Sequence, residues 1–252
     1  MSTASALCSP THHGLVSFPP TRMFDFSPAE LTAIALSLKV AAVAALASLP
    51  FGIATGWLLA RKRFFGKALV DALVHLPLVL PPVVVGYVLL VMLGNQGVIG
   101  GFLQQHFGIG VAFRWTGAAL ASAVMGFPLM VRTIRLSIES ADHRLEQVAA
   151  TLGATPWRVF RSVTLPLAWP GIVAGAVLAF AKALGEFGAT ITFVSAIPGE
   201  TQTISSAIYG LLQVPGGDAG IWRLALVAMG ISLLALLVSE WLVRRQRGER
   251  AR

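Results

Sequence analysis

The sequence predicts an all-α membrane protein, a bundle of about five transmembrane helices around one polar loop, and three observations carry that prediction. Of 252 residues, 56% are hydrophobic and only 12% charged, against roughly a quarter charged in a soluble domain. Several apolar stretches pass the roughly 18–20 residues that cross about 30 Å of hydrocarbon. The net charge of +8 gathers at the ends of those stretches: Arg61, Lys62, Arg63 and Lys67, then Arg132 to Arg161, then Arg244, Arg245, Arg247, Arg250 and Arg252. A nucleic-acid footprint would place its charge on one soluble surface. The observed placement marks membrane topology and speaks against a nucleic-acid partner.

Residues 1–27 form a polar, proline-bearing tail without periodicity. Cys8 is the single cysteine, so no intrachain disulfide forms, and Met1 to Leu7 lack the basic and apolar regions of a cleaved signal. His12 and His13 have no further ligand at metal-site spacing. Ser27-Pro28-Ala29-Glu30 is a helix start: Ser27 caps, Pro28 loses nothing at the first position, and Glu30 closes a capping box. The first span runs over about 29–60, longer than one crossing requires, so it must tilt or bend near Pro50 and Gly52.

The second span, about 68–93, contains Pro77, Pro81 and Pro82. Lipid cannot satisfy the carbonyls these prolines free, so the break is expected to point into the bundle. His75 beside it reads as a relay or ligand, or more simply as a hydrogen-bonded packing histidine. A glycine-rich connection with a short amphipathic stretch around Ile99 to Phe107 leads to the third span, about 116–138. The chain then turns polar from 139 to 167, crosses again over about 170–194 and about 221–243, and ends in a basic tail, 244–252. Residues 200–214 have the pattern of an outer amphipathic helix rather than a sixth span. By the positive-inside rule the three basic connections are cytoplasmic, which puts the N-terminus outside, the C-terminus inside, and requires an odd number of spans.

The polar segment 139–167 reads as two short helices joined at Gly153, with Thr155-Pro156 supplying a fresh cap. Gln147-Val148-Ala149, three residues, Gly153, nine residues, then Val163-Thr164-Leu165-Pro166 resembles the EAA loop of ABC import permeases, E-A-A-x3-G-x9-I-x-L-P. The spacing matches in full; Gln147, Val148 and Val163 depart from the pattern, and Glu146 stands one residue away. The resemblance extends from about Pro28 to the tail and is closest to the molybdate permeases, through His75 to Tyr87, Leu184 to Val194 and Ile197 to Thr201. Sulfate and tungstate permeases share parts of these stretches.

The resemblance implies a type I importer permease that moves molybdate or a related oxyanion across the bacterial inner membrane. Its loop would couple to a cytoplasmic ABC ATPase subunit through Glu146, Gln147, Ala149, Gly153, Leu165 and Pro166. ATP and Mg would sit on that partner, with no cofactor on this chain. An extracytoplasmic oxyanion-binding protein would select the cargo and dock on Gly94 to Trp115 and Ala196 to Asp218. A second copy would complete the path, because the chain has no internal repeat.

Within the spans an acid is a functional candidate. Glu186 lies four residues after Lys182, so the two can pair, and Thr190 continues the face. This face either lines the pathway or locks helices together. A bare carboxylate repels an oxyanion, so Glu186 is expected to shape a gate or packing contact rather than hold cargo. Pro77, Pro81 and Pro82 join this pathway or packing group. The sequence has no Walker A pattern and no metal-ligand spacing, which speaks against catalysis by this chain. A passive anion channel is the alternative, and it would have no use for the coupling loop.

Overall fold

The computed structural model describes residues 25–108 and 110–250, the last six by backbone alone. Most of the expected tail, with Cys8, His12 and His13, therefore lies outside the described residues. Among the described residues four helices are long and apolar enough to cross a membrane: α1 (Pro28–Arg61), α5 (Trp115–Ser140), α8 (Leu165–Leu184) with the turns that lead into it, and α11 (Asp218–Arg250). A fifth crossing is the pair α2 (Lys67–Val79) and α3 (Pro82–Leu93), bent by 113°. Shorter helices are α4 (Val98–Phe107), α6 (His143–Thr151), α7 (Pro156–Val159), α9 (Gly188–Val194) and α10 (Ile204–Leu211).

Helices α1, α5 and α8 form the core. Without a hydrophobic drive between helices in lipid, close approach through small residues holds such a bundle, and a Cβ at Gly171 of α8 would overlap the Ser137 side chain of α5. Met130, Ile134 and Ile138 of α5 are buried between Ala45 of α1 and Ala168, Ile172 and Ala179 of α8. Almost none of the most apolar stretch of α11 is buried, so that helix borders the bundle.

Helix α1 starts on the expected capping box: Ser27 Oγ accepts from Glu30 N at 3.2 Å and Glu30 Oε2 from Ser27 N at 2.7 Å. It runs unbroken through Pro50, so its excess length is taken up elsewhere. Its first turns form a platform with α10 and α11. Arg223 donates to Glu30 Oε1 through Nη2 at 2.8 Å and Nε at 3.2 Å. Ser37 Oγ accepts from Ile204 N at 2.7 Å, satisfying one of the orphan donors at the start of α10. Glu30→Ala removes a cap and takes one charged partner from the partly buried Arg223 guanidinium, an expected cost of about 3 kcal/mol. The midpoint of thermal unfolding in detergent should drop by roughly 5–10 °C, while Glu30→Gln, which keeps the shape, drops it less.

Several expected boundaries move. The second span is two helices whose break at Leu80–Pro81 is not sheltered within one copy: Pro81, Pro82, Val83 and Val84 are exposed. Pro81 and Pro82 have no N–H to offer the carbonyls of Pro77 and Leu78. The fourth span does not run over 170–194, because the helix stops at Leu184, Gly185 caps it, and α9 starts afresh at Gly188. At its other end α7 passes through one wide turn, Phe160–Thr164, straight into α8, so the second helix of the polar segment is the foot of the span. The basic tail expected from 244 continues α11 as far as Arg250, since Arg, Glu and Gln are good helix formers.

Candidate functional site

The polar loop is built around one carboxylate. Asp142 caps α6 by accepting from Arg144 N at 2.9 Å, which places Glu146 on the inner face. Glu146 is buried at 9% exposure. Its Oε1 meets Arg61 Nη2 at 3.1 Å, from the end of α1, and accepts from Thr164 Oγ1 at 2.7 Å, from the turn that opens α8. Its Oε2 lies 3.0 Å from His143 Nδ1. One side chain thus ties the loop to two membrane-spanning helices.

Gly153 leaves α6 at φ +83°, a conformation that costs a side-chain-bearing residue about 1–2 kcal/mol. Thr155 then caps α7 and Pro156 takes its first position. Pro166 cannot donate, and its ring would crowd the carbonyl of Ser162. The turn before it widens, with Leu165 N bonded to Phe160 O five residues back, and the helix survives. Trp57 of α1 meets Phe160 edge-on, and Trp157 stacks on Phe160, bracing the same junction.

Of the residues singled out in the sequence, Gln147 is exposed, Ala149 half-buried, and Gly153 an open turn, while Glu146 and the Leu165-Pro166 foot hold the loop in place. Missed were Arg61 and Thr164, which no local pattern connects to Glu146, and the outer face of α6. There Leu145, Val148 and Leu152 are 49%, 56% and 83% exposed, with Trp157 at 69% nearby in sequence. The signal was present: apolar residues at spacings of three and four inside a polar segment mark an amphipathic helix.

The second group sits at the opposite end of α8, about 28 Å from Leu165 at 1.5 Å per residue. Glu186 is 2% exposed. Its Oε2 pairs with Lys182 Nζ at 2.5 Å, and its Oε1 accepts from Ala189 N at 3.1 Å. Thr190 Oγ1 donates to Phe187 O at 2.9 Å. Both carboxylate oxygens are therefore spent on joining the end of α8 to the start of α9, and a buried charge held this way has little left for a ligand.

Helix α9 in turn packs on α3. A Cβ at Gly188 would lie 2.7 Å from Pro82 Cβ, and one at Gly86 would lie 2.5 Å from Ala189 O. The structure thus brings Lys182, Glu186 and Thr190 together with Pro82. It leaves Pro77 apart, on an apolar cavity between α1, α2 and α5. A third polar cluster lies between α2 and α5. Asp71 Oδ2 meets Arg135 Nη1 at 3.0 Å, Arg135 Nε meets Glu139 Oε1 at 2.8 Å, and His75 Nδ1 lies 2.9 Å from Asp71 O.

Comparison with known proteins places this architecture. The chain is 61% identical over 222 residues to the molybdenum transport system permease protein ModB of Escherichia coli (strain K12), covering 88% of this chain and 96% of that one. It is 38% identical over 213 residues to the sulfate transport system permease protein CysT of Salmonella typhimurium, covering 83% and 75%. Among solved structures, a bacterial ABC transporter involved in the import of the acidic polysaccharide alginate matches with a TM-score of 0.70 at 21% identity, over 87% of this chain and 80% of that one. This last likeness shows the shared fold. Residues 48–248 match the model of the family described as binding-protein-dependent transport system inner membrane component, and the chain belongs to that family.

Proposed function

We propose that this chain is the membrane-spanning, non-catalytic permease of an ATP-driven importer of molybdate. The observation that carries the mechanism is the anchoring of an exposed apolar helix face, Leu145, Val148 and Leu152, to the ends of α1 and α8 through Glu146. An ABC ATPase subunit, carrying ATP and Mg, receives that face in a cleft. Closure of the ATPase moves α6, Glu146 passes the displacement to Arg61 and Thr164, and α8 carries it to the Lys182–Glu186 junction. There α9, locked on α3 through Pro82 and Gly86, opens or closes the passage.

The identity to a molybdenum transport permease, well above that to a sulfate one, supports molybdate as cargo. An extracytoplasmic binding protein delivers it to the end of the bundle opposite the loop, where α4 and α10 lie. The basic residues at the loop end support a cytoplasmic loop and C-terminus with the N-terminus outside. The exposed break at Leu80–Pro81 supports a second copy of the chain. Irregular backbone at membrane depth persists only where protein covers it or it lines a watery cavity, and a homodimer around a central path supplies both.

The test is metal analysis of proteoliposomes holding the chain, its ATPase and its binding protein. ATP-driven uptake of molybdate in preference to sulfate is the expected result, and sulfate preference would overturn the cargo. Gradient-driven flux indifferent to ATP would make the chain a passive channel. Leu152→Asp, which puts a charge on the docking face but touches nothing inside the bundle, is expected to weaken co-purification of the ATPase about tenfold or more. The chain's own thermal unfolding should not move.

A further inference from the structure

The cleft between α2 and α5 holds a charge that neither the loop nor the α8–α9 junction uses. Arg132, Arg135 and Glu139 of α5 face Asp71 and His75 of α2 around a cavity of 490 Å³. Arg135 is matched on both sides by Asp71 and Glu139. Arg132 is exposed, lines the same cavity, and has no hydrogen-bond or ion-pair partner among the described residues. It stands eight residues inside the end of α5, about 12 Å along the helix. An unpaired guanidinium so far into a membrane-spanning helix is costly against lipid and belongs on a watery path.

We infer that Arg132 is a contact site for a tetrahedral oxyanion in the loop-side half of the translocation path; the inference rests on the permease reading above. A guanidinium fork matches two oxygens of such an ion. The carboxylates of Asp71 and Glu139 would repel the cargo if free; Arg135 bonds to both and offsets one of their two charges, and Arg132 balances the other. Two guanidiniums and two carboxylates cancel, so the cleft attracts an anion through local geometry rather than net field. That keeps the contact weak, as a conduction site must be in order to release what it admits. A second copy would place a second Arg132 on the same path.

The experiment uses the complete transporter in proteoliposomes. Arg132→Gln is expected to lower the molybdate imported per ATP hydrolysed about tenfold, while hydrolysis stimulated by the loaded binding protein persists and Arg132→Lys recovers part of the loss. A wild-type ratio in Arg132→Gln, or joint loss of stimulated hydrolysis and uptake, overturns the assignment. Occupancy is read separately in a Cys8→Ser, Ala68→Cys protein, because Ala68 lines the same cavity. Millimolar molybdate should slow labelling of the introduced thiol by a charged thiosulfonate, and adding Arg132→Gln should abolish that protection. Protection that survives Arg132→Gln, or that is absent while Arg132 is present, overturns the site. If the wild-type complex moves no molybdate, the permease reading of cargo fails, and the same labelling with sulfate and tungstate still decides whether Arg132 binds an oxyanion.

Discussion

Glu146→Ala is expected to abolish ATP-coupled uptake in a chain that still inserts into the membrane. The carboxylate is buried, and it is the shared partner of Arg61, Thr164 and His143. Its removal leaves the Arg61 guanidinium, among the described residues, with the Ala141 carbonyl at 3.3 Å, and truncating one member of a buried pair costs about 3–5 kcal/mol. That penalty falls on the joint through which the ATPase's motion reaches α1 and α8, and the membrane-embedded contacts of those helices are untouched. ATP hydrolysis by the assembled complex should lose its response to the loaded binding protein, and uptake should fall at least a hundredfold. Glu146→Gln keeps an acceptor for Thr164 but not the charge, and an intermediate loss is expected. The double replacement Arg61→Met/Glu146→Leu supplies the control. If the pair serves as anchor, removing both charges together restores part of the stability lost in Glu146→Ala, because no ion is left unpaired. Uptake by Glu146→Ala within twofold of wild type would remove Glu146 from the coupling route.

Much of this fold was legible in the sequence because membranes leave few options: a long apolar stretch becomes a helix, and basic ends mark its sides. The capping box at Ser27 and Glu30, the exit at Gly153 and the pairing of Lys182 with Glu186 were readable for a related reason, since each depends on residues within six positions of one another. What escaped were the breaks and the long-range partners. The apolar run 170–194 gives no local sign that the helix stops at Leu184. Gly185 permits the stop, and Glu186 makes it worthwhile by capping α9, a tertiary choice between two helical continuations. Likewise Glu30 reads as a capping residue, while its bond to Arg223 crosses 193 positions. Glu146 reads as a neighbour of the loop motif, and its burial follows only once α1 and α8 are packed side by side. The Pro81–Pro82 break was expected to point into the bundle, sheltered by protein or water. Its exposure moves that requirement from the chain to the assembly.

Gly86→Leu is expected to be the most damaging single change at the far end of the bundle. The α3–α9 contact is a backbone contact: a Cβ at Gly86 would come 2.5 Å from Ala189 O and 2.9 Å from Thr192 Cβ, and neither neighbour is a flexible tip that can swing aside. Helix α9 cannot withdraw cheaply either. Ala189 N is held by Glu186, and Ala189, Phe193 and Val194 are fully buried against α5 and α3. Overpacking of this kind costs about 1–3 kcal/mol where side chains can adjust, and more where backbone must move. The strain falls on the segment proposed to gate the passage, so function should suffer more than folding. The expected result is a fall in uptake of about a hundredfold with a drop of roughly 5–10 °C in the unfolding midpoint, while Gly86→Ala shows a smaller version of both. A useful contrast is Gly230→Leu on α11, where a Cβ meets nothing within 4 Å and neither quantity should change. If Gly86→Leu transports normally, α3 and α9 separate during every cycle and the gate lies elsewhere. If it unfolds and transports in strict proportion, the contact is structural and carries no gating motion.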